Sequence, residues 1–494
     1  FSLQRGASAK RSNEKEKHLN LPKSCVMKNK KLIIKFLATI TAIFLLITSG
    51  QAKNSSNSIQ PWADNFWYWQ YKGEPVMLLG ASNDDNLFQW PVDILIPHLD
   101  SMKAIGANYV RNTMSDRPDR GFELYPYKKL KNGKYDLNRW NDAYWNRFDF
   151  FLKETAKRDI IVQIEVWDRF DYSRENWLPH PYNPKNNVNY SFKETGLDSV
   201  YPNHAGANDQ PFFFTTPHQQ NNTVLLNFQN RFVEKMLSYS LAYDHVLYCI
   251  DNETSGEEEW TVYWAAFILR KAKEKGKKVC VTEMWDDWNL KAESHKRTFD
   301  HPELFAYCDV SQNNHQIGKV HWDNFQWVRH YLAPHPRPLN TVKTYGADGG
   351  RHGSTKDGLE RWWRHIIGGS ASARFHRPPS GLGLSTFSIN SIKIAREIEK
   401  IVPFWELKPD LAALEGFDEN EAYLASKTGE YYVVFFSNGG EVKLNLNAYL
   451  DFFKLKWFDI RNGELVLETQ VEGGEKITLK APGKLEWIAV LERM

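Results

Sequence analysis

Between residues 60 and 405 eight short apolar runs recur, each followed by a stretch of helical character, and this alternation constrains the fold most. The runs are VMLLGAS (76–82), NYVRNT (108–113), IIVQIEVW (160–167), VLYCIDN (246–252), KVCVTEM (278–284), FAYCDVS (305–311), PLNTVK (338–343) and SARFH (372–376). Between them lie HLDSMKAIG, RFVEKMLSYSLAY, YWAAFILRKAKEKG and LERWWRHIIGG, several closed by the glycine that helix C-caps favour. Strands that are apolar throughout are buried on both faces, as in a parallel sheet covered by helices. Eight of them predict an α/β fold, a (β/α)8 TIM barrel over residues 60–405. The longest break, residues 168–219, follows the third run, so it is expected to wall a cleft at the end of the barrel where loops after strands gather.

Past Leu407 the period shortens. AYLASK, EYYVVFFSN, EVKLNLN, KLKWFDI, ELVLETQV, KITLKA and LEWIAVLE are short runs joined by turn-forming SNGG, IRNG and EGG, which predicts a small antiparallel β-sandwich over residues 408–494.

Residues 1–52 are expected to form no part of either domain. Met27 opens a lysine-rich start, an apolar stretch runs from Phe36 to Thr48, and Gly50 and Ala52 stand at −3 and −1 of a cleavage site. That is the pattern of a secretory signal, with residues 1–26 upstream of it, and the apolar stretch is too short for a membrane anchor. The mature chain is therefore expected to be secreted or periplasmic, with no stable membrane span. From residue 53 onward 53 basic side chains face 58 acidic ones, a mildly acidic body that argues against nucleic acid as a partner. Cys249, Cys280 and Cys308 each sit inside an apolar run, as packing residues rather than a disulfide framework.

Polar residues cluster where the apolar runs end. Asp84 and Asp85 follow the first, Arg111 closes the second, and Glu165, Trp167 and Asp168 close the third. Asn252 and Glu253 end the fourth, and Glu283, Asp286 and Asp287 follow the fifth. His315 follows the sixth, Lys343 and Tyr345 the seventh, Arg374 and His376 the eighth. Such a rim, rich in carboxylates and aromatics, suits carbohydrate chemistry. Glycosidic cleavage needs one protonated carboxyl and a second carboxylate, and aromatic faces hold sugar rings. No cofactor fingerprint is present, the histidines lack metal-ligand spacing, and no serine stands in a nucleophile elbow. The glycine-rich GADGGRHGS (346–354) lacks the ending of a phosphate loop and reads as a rim turn. Neither cofactor nor metal is expected.

The segments YKGEPVMLLG and MKAIGANYVRN, and the strand that ends in Asn252-Glu253, resemble the clan of (β/α)8 glycoside hydrolases related to family 5 and to the apiosidase-like enzymes. The resemblance covers roughly residues 65–400 and implies a glycosidase in which Arg111 closes the second strand. It also implies that Asn252 contacts a sugar hydroxyl and that Glu253 is the general acid/base. The C-terminal YYVVFFSNGG, KLKWFDIRNGE and EWIAVLE resemble the small collagen-binding-type domain that follows such barrels.

One position departs from that clan. Its nucleophilic Glu at the end of the seventh strand is replaced here by Lys343, in NTVKTYG. The expected second carboxylate is then Glu283, on the strand next to Glu253, with Asp286, Asp287, Asp168 and Asp85 in reserve and Lys343 holding one of them ionised. Glu253 is expected to stay protonated near neutral pH. Arg111, Asn252, Asp85, Trp167, Asp168, His315, Lys343, Tyr345, Arg374 and His376 are the expected substrate-binding residues. The alternative is a catalytically silent barrel that binds glycans.

Overall fold

The structure is a computed structural model that describes residues 57–82, 85–207, 209–345, 353–376, 384–418 and 421–494. The signal sequence, Asp84 and all but the last two residues of the glycine-rich segment 346–354 lie outside these residues.

Among the described residues eight parallel strands alternate with eight helices. The strands are β1 (Leu78–Ser82), β2 (Tyr109–Thr113), β3 (Ile161–Asp168), β4 (Val246–Asn252), β5 (Val281–Thr282), β6 (Cys308–Asp309), β7 (Leu339–Asn340) and β8 (Ser372–His376). In the same order, the main helix after each strand is α1 (Val92–Ala104), α2 (Asp142–Ala156), α3 (Thr223–Ser240), α4 (Glu258–Glu274), α5 (Glu293–Phe299), α6 (Gly318–Tyr331), α7 (Thr355–Ile367) and α8 (Thr386–Ile401), with two four-residue helical turns, Arg174–Trp177 and Phe192–Thr195, in the long loop after β3. Local chemistry starts several of these helices. Asn141 and Asn222 accept from the first backbone amides of α2 and α3, and Ser354 and Asp357 form a reciprocal capping box on α7.

Parallel ladders join β2–β3–β4–β5, β6–β7 and β8–β1. Isolated bonds tie the remaining neighbours. Asn108 N donates to Leu79 O at 2.8 Å and His376 N to Thr344 O at 3.1 Å. Asp309 N donates to the Thr282 hydroxyl at 3.2 Å. Strands β5, β6 and β7 are shorter than the apolar runs predicted, and that last bond gives a reason: a side-chain oxygen takes the place of a ladder carbonyl. At Gly80 β1 approaches β2 so closely that a Cβ would stand 1.9 Å from the Tyr109 carbonyl oxygen.

Side chains from several strands meet in a polar layer. Tyr109 donates to Gln163 Oε1 at 2.6 Å, Asn340 to the Tyr109 hydroxyl at 3.1 Å, and Gln163 to Asp309 at 3.5 Å. Trp69, from a three-stranded antiparallel sheet over residues 60–76, donates to Asn340 at 2.8 Å from the end where the strands begin.

Residues 408–493 form a six-stranded and a three-stranded antiparallel sheet. Leu424, Val434, Phe436, Leu444, Trp457 and Leu479 fill the space between them. The alternate residues Tyr423, Val433, Phe435, Ile488 and Val490 belong to the main core. Tyr423 meets Trp322 of α6 at 4.8 Å between ring centroids. Cys249, Cys280 and Cys308 are buried free thiols. No helix among the described residues is long and apolar enough to cross a membrane.

Candidate active site

The rim is built on a chain of ion pairs. Arg111, in the middle of β2 rather than at its end and fully buried, places Nε between the two Glu165 oxygens at 2.7 and 2.8 Å and gives Nη1 to Asp85 at 2.8 Å. Arg117, from the loop after β2, donates to Asp168 at 2.6 Å and approaches Asp85 at 3.5 Å and Asp171 at 3.6 Å. Asp85 and Asp168 are thereby spent on arginines. Arg117 was invisible to the strand-end argument because it stands four residues past the strand, in SDRPDR.

Glu253 is the first residue past β4, and its backbone is left-handed, with φ 57°. A non-glycine residue is held there only when its surroundings insist on it. On its far side Thr254 N donates to Met284 O at 2.8 Å, which fixes the turn. Lys343, 2% exposed, reaches across from the seventh strand's end and donates to Glu253 Oε1 at 2.5 Å and to Asn252 Oδ1 at 2.6 Å. Burial alone would raise the Glu253 carboxyl, but the charge and hydrogen bond of Lys343, with Arg111 behind it, bring it down to about 2. Glu253 is therefore a carboxylate at neutral pH, not the protonated acid expected from the sequence. The correction comes from Lys343, whose contact lies 90 residues away along the chain.

Glu283 does not join this group. Its carboxylate accepts from Asp251 N at 3.0 Å, Met284 N at 2.8 Å and the Thr261 hydroxyl of α4 at 2.7 Å. It binds β4, β5 and α4 together, and burial followed by Asp251 pushes its carboxyl well above the usual range. Asp287 caps the following segment, accepting from Asn289 N at 2.8 Å. Asp286 is different. Its backbone N donates to Thr254 O at 2.8 Å, which sets it beside Glu253, and its side chain is half-buried. Burial and the Glu253 charge raise its carboxyl, while Lys343 and His204 oppose them.

Trp167 is another correction. It is buried with its ring 5.6 Å from Phe212, 5.3 Å from Phe232 and 5.3 Å from Trp264, in the layer of helices and not in a cleft. Arg374 turns inward, donating to Val342 O at 2.6 Å and to the Ser82 hydroxyl, and so stitches β8 to its neighbours. The remaining expected residues form an aromatic strip. His315 lies on Trp288 at 4.2 Å with their planes 13° apart, and Tyr345 follows at 5.7 Å from His315 and 4.9 Å from His376. Trp288 is 44% exposed and presents a flat face to solvent. Sequence reasoning missed it, although WDDW directly after β5 carried the signal. It also missed His204 and Gln312, the latter beside Glu253. His204 belongs to the long loop after β3, in which Gly206 packs against Ser255.

Among the described residues no three His, Cys, Asp or Glu side chains converge as a metal site. A groove of about 660 Å³ runs along the outside of α4 between His218, Tyr263, Phe267 and Arg270, and none of its lining residues belongs to the rim.

Residues 409–492 match the family model described as "Putative collagen-binding domain of a collagenase". No curated protein matches the chain. Among solved structures, a glycoside hydrolase of family 5 from Bacteroides vulgatus superposes with a TM-score of 0.58 at 13% identity, covering 88% of this chain and 93% of its own. A second, described simply as a glycoside hydrolase, superposes with a TM-score of 0.59 at 12% identity, covering 89% of this chain and 97% of its own. At these identities the likeness is one of fold, and it extends over both the α/β part and the C-terminal sheets.

Proposed function

We propose that the chain is a glycoside hydrolase, built as a (β/α)8 barrel over residues 60–405 with an accessory sandwich at 408–494. In this reading residues 27–52 direct it to the periplasm or the exterior, where it cleaves O-glycosidic bonds of a poly- or oligosaccharide with two carboxyl groups. Glu253 carries the reading: an ionised carboxylate at the tip of β4, held in a left-handed backbone by its neighbours and in its charge state by Lys343.

Such an anion stabilises the positive charge that develops at the anomeric carbon as the bond breaks, and it can bond to that carbon or draw a proton from attacking water. Trp288, stacked on His315, offers the flat apolar face on which a sugar ring rests. Lys343 keeps Glu253 oriented and, through Asn252, ties it to the last residue of β4. The solved structures of the same fold that are glycoside hydrolases support the class of reaction.

The test is turnover of a panel of aryl glycosides and polysaccharides. A wild type that releases sugar, with Glu253→Gln reduced by about 10³-fold or more, is the expected result. A second reading has one specific observation in its favour: a cation, Lys343, stands where the clan has its nucleophile. On that reading the barrel binds glycans without cleaving them, and calorimetry would register binding of a panel member that is never hydrolysed.

A further inference from the structure

We infer that Asp286 is the proton donor of this site and that Glu253 is the carboxylate that works opposite it. The inference rests on the glycosidase reading above and reverses the role that the strand-four glutamate was expected to play.

The backbone supplies the placement. Past the ends of β4 and β5 the two segments stay paired, Thr254 opposite Trp285, with Thr254 N donating to Met284 O and Asp286 N to Thr254 O, both at 2.8 Å. Asp286 therefore stands on the rim next to the turn that carries Glu253. The side chains supply the selection. Glu283, Asp287, Asp85 and Asp168 are each committed to backbone amides, hydroxyls or arginines. No hydrogen bond or ion pair among the described residues engages the Asp286 carboxyl, which is half-buried and so open to a ligand. A group that must hand over a proton needs this freedom.

The electrostatics agree. Asp286 faces Glu253 from the β4 side, Asp287 from its own segment, Lys343 from the seventh strand's end and His204 from the long loop after β3. Burial and Glu253 push its carboxyl up, whereas Lys343 pulls that of Glu253 down. Two adjacent carboxyls driven apart in this way divide the roles of acid and base between them.

In the reaction the Asp286 proton passes to the glycosidic oxygen while the bond from that oxygen to the anomeric carbon breaks, its electron pair leaving with the departing sugar. The anomeric carbon bonds either to a Glu253 oxygen or to a water oxygen whose proton Glu253 takes. In the first case a water then gives a proton back to Asp286 as its oxygen bonds to the anomeric carbon and the bond to Glu253 breaks, releasing Glu253 as a carboxylate. The anomer released reports which course is followed.

The experiment compares wild type, Asp286→Asn and Glu253→Gln on two glycosides of one sugar, an alkyl glycoside whose leaving group needs a proton and a dinitrophenyl glycoside whose leaving group does not. Asp286→Asn is expected to lose about 10²–10⁴-fold on the alkyl glycoside and less than about 10-fold on the other, and to lose the alkaline limb of its pH profile. Glu253→Gln is expected to fail on both. The reverse pattern, with Glu253→Gln sparing the dinitrophenyl glycoside and Asp286→Asn not discriminating, overturns the assignment. So does an Asp286→Asn enzyme as active as wild type on the alkyl glycoside. A wild type that cleaves no member of the panel defeats the glycosidase reading itself, and the assignment falls with it. Carbon-13 resonances of the carboxyl groups give a readout that needs no turnover: Asp286 should titrate above the ordinary aspartate value of 3.8 and move down in Glu253→Gln. Titration at or below 3.8 in wild type also overturns the assignment.

Discussion

Lys343 is buried with two partners, and its ammonium is balanced by a single carboxylate, so neither Lys343 nor Glu253 can be removed without stranding a charge. Lys343→Met should cost about 3–5 kcal/mol at pH 7, measurable by urea denaturation, because Glu253 is then buried without its cation. The pH dependence has a definite sign. The Glu253 carboxyl sits at about 2 in the folded chain against an ordinary 4.5, so the unfolded chain takes up the proton first as pH falls. Its contribution is complete above pH 4.5 and is lost between 4.5 and 2, and Lys343→Met should flatten the stability curve in that window. Glu283, Asp116 and Asp171 act in the opposite sense. Burial raises all three, so each favours the folded chain at low pH, and that contribution disappears as pH climbs through its folded value.

Glu283 shows how one side chain can join three elements. Two backbone amides, of Asp251 in β4 and Met284 after β5, end on one of its oxygens, and the Thr261 hydroxyl of α4 ends on the other. A glutamine can keep this arrangement, its carbonyl accepting both amides and its NH₂ donating to the hydroxyl oxygen. Glu283→Gln should therefore unfold within about 1 kcal/mol of wild type and keep its turnover, whereas Glu283→Ala leaves two buried amides unsatisfied and should lose about 2–5 kcal/mol in thermal and chemical denaturation. A large loss of turnover in a stable Glu283→Gln would return this residue to the catalytic group. Between β1 and β2 the tight point is Gly80. Gly80→Ala would set a methyl against a main-chain carbonyl that cannot swing away, and a loss of about 3 kcal/mol or more is expected from the midpoint of unfolding.

Across the whole molecule, the six-stranded sheet has no solvent face at its centre. One side closes its own core with Leu424, Val434 and Phe436, and the other lays Tyr423 and Phe435 on Trp322 of α6 and Trp363 of α7. Helix α7 also holds the rim, through the bond of 3.0 Å from Arg361 to Tyr345 O. A chain ending at residue 407 should keep its chemistry at low temperature, since the rim residues precede residue 377. It should melt earlier and aggregate, because this apolar face is laid open. Differential scanning calorimetry and light scattering would register both effects. Loss of all turnover from a truncated chain that stayed stable would mean that a sandwich residue reaches the cleft.

The sequence by itself determined the alternation of eight strands and helices, the antiparallel C-terminal part, and the strand-end positions of Asn252 and Glu253, because hydrophobic periodicity and turn chemistry are local and survive in one dimension. It could not settle which face a side chain takes where a strand is short or ends. Glu283 follows a strand of two residues and Trp167 stands next to the last residue of β3, so alternation had too little ladder to place either one. Nor could it settle a protonation state. The carboxylates and aromatics around Glu253 in the sequence point to a protonated acid, but its charge is decided by one ammonium brought to 2.5 Å from the end of the seventh strand. Coulomb energy depends on separation in space and on the dielectric around the pair, and only the tertiary structure sets those two quantities.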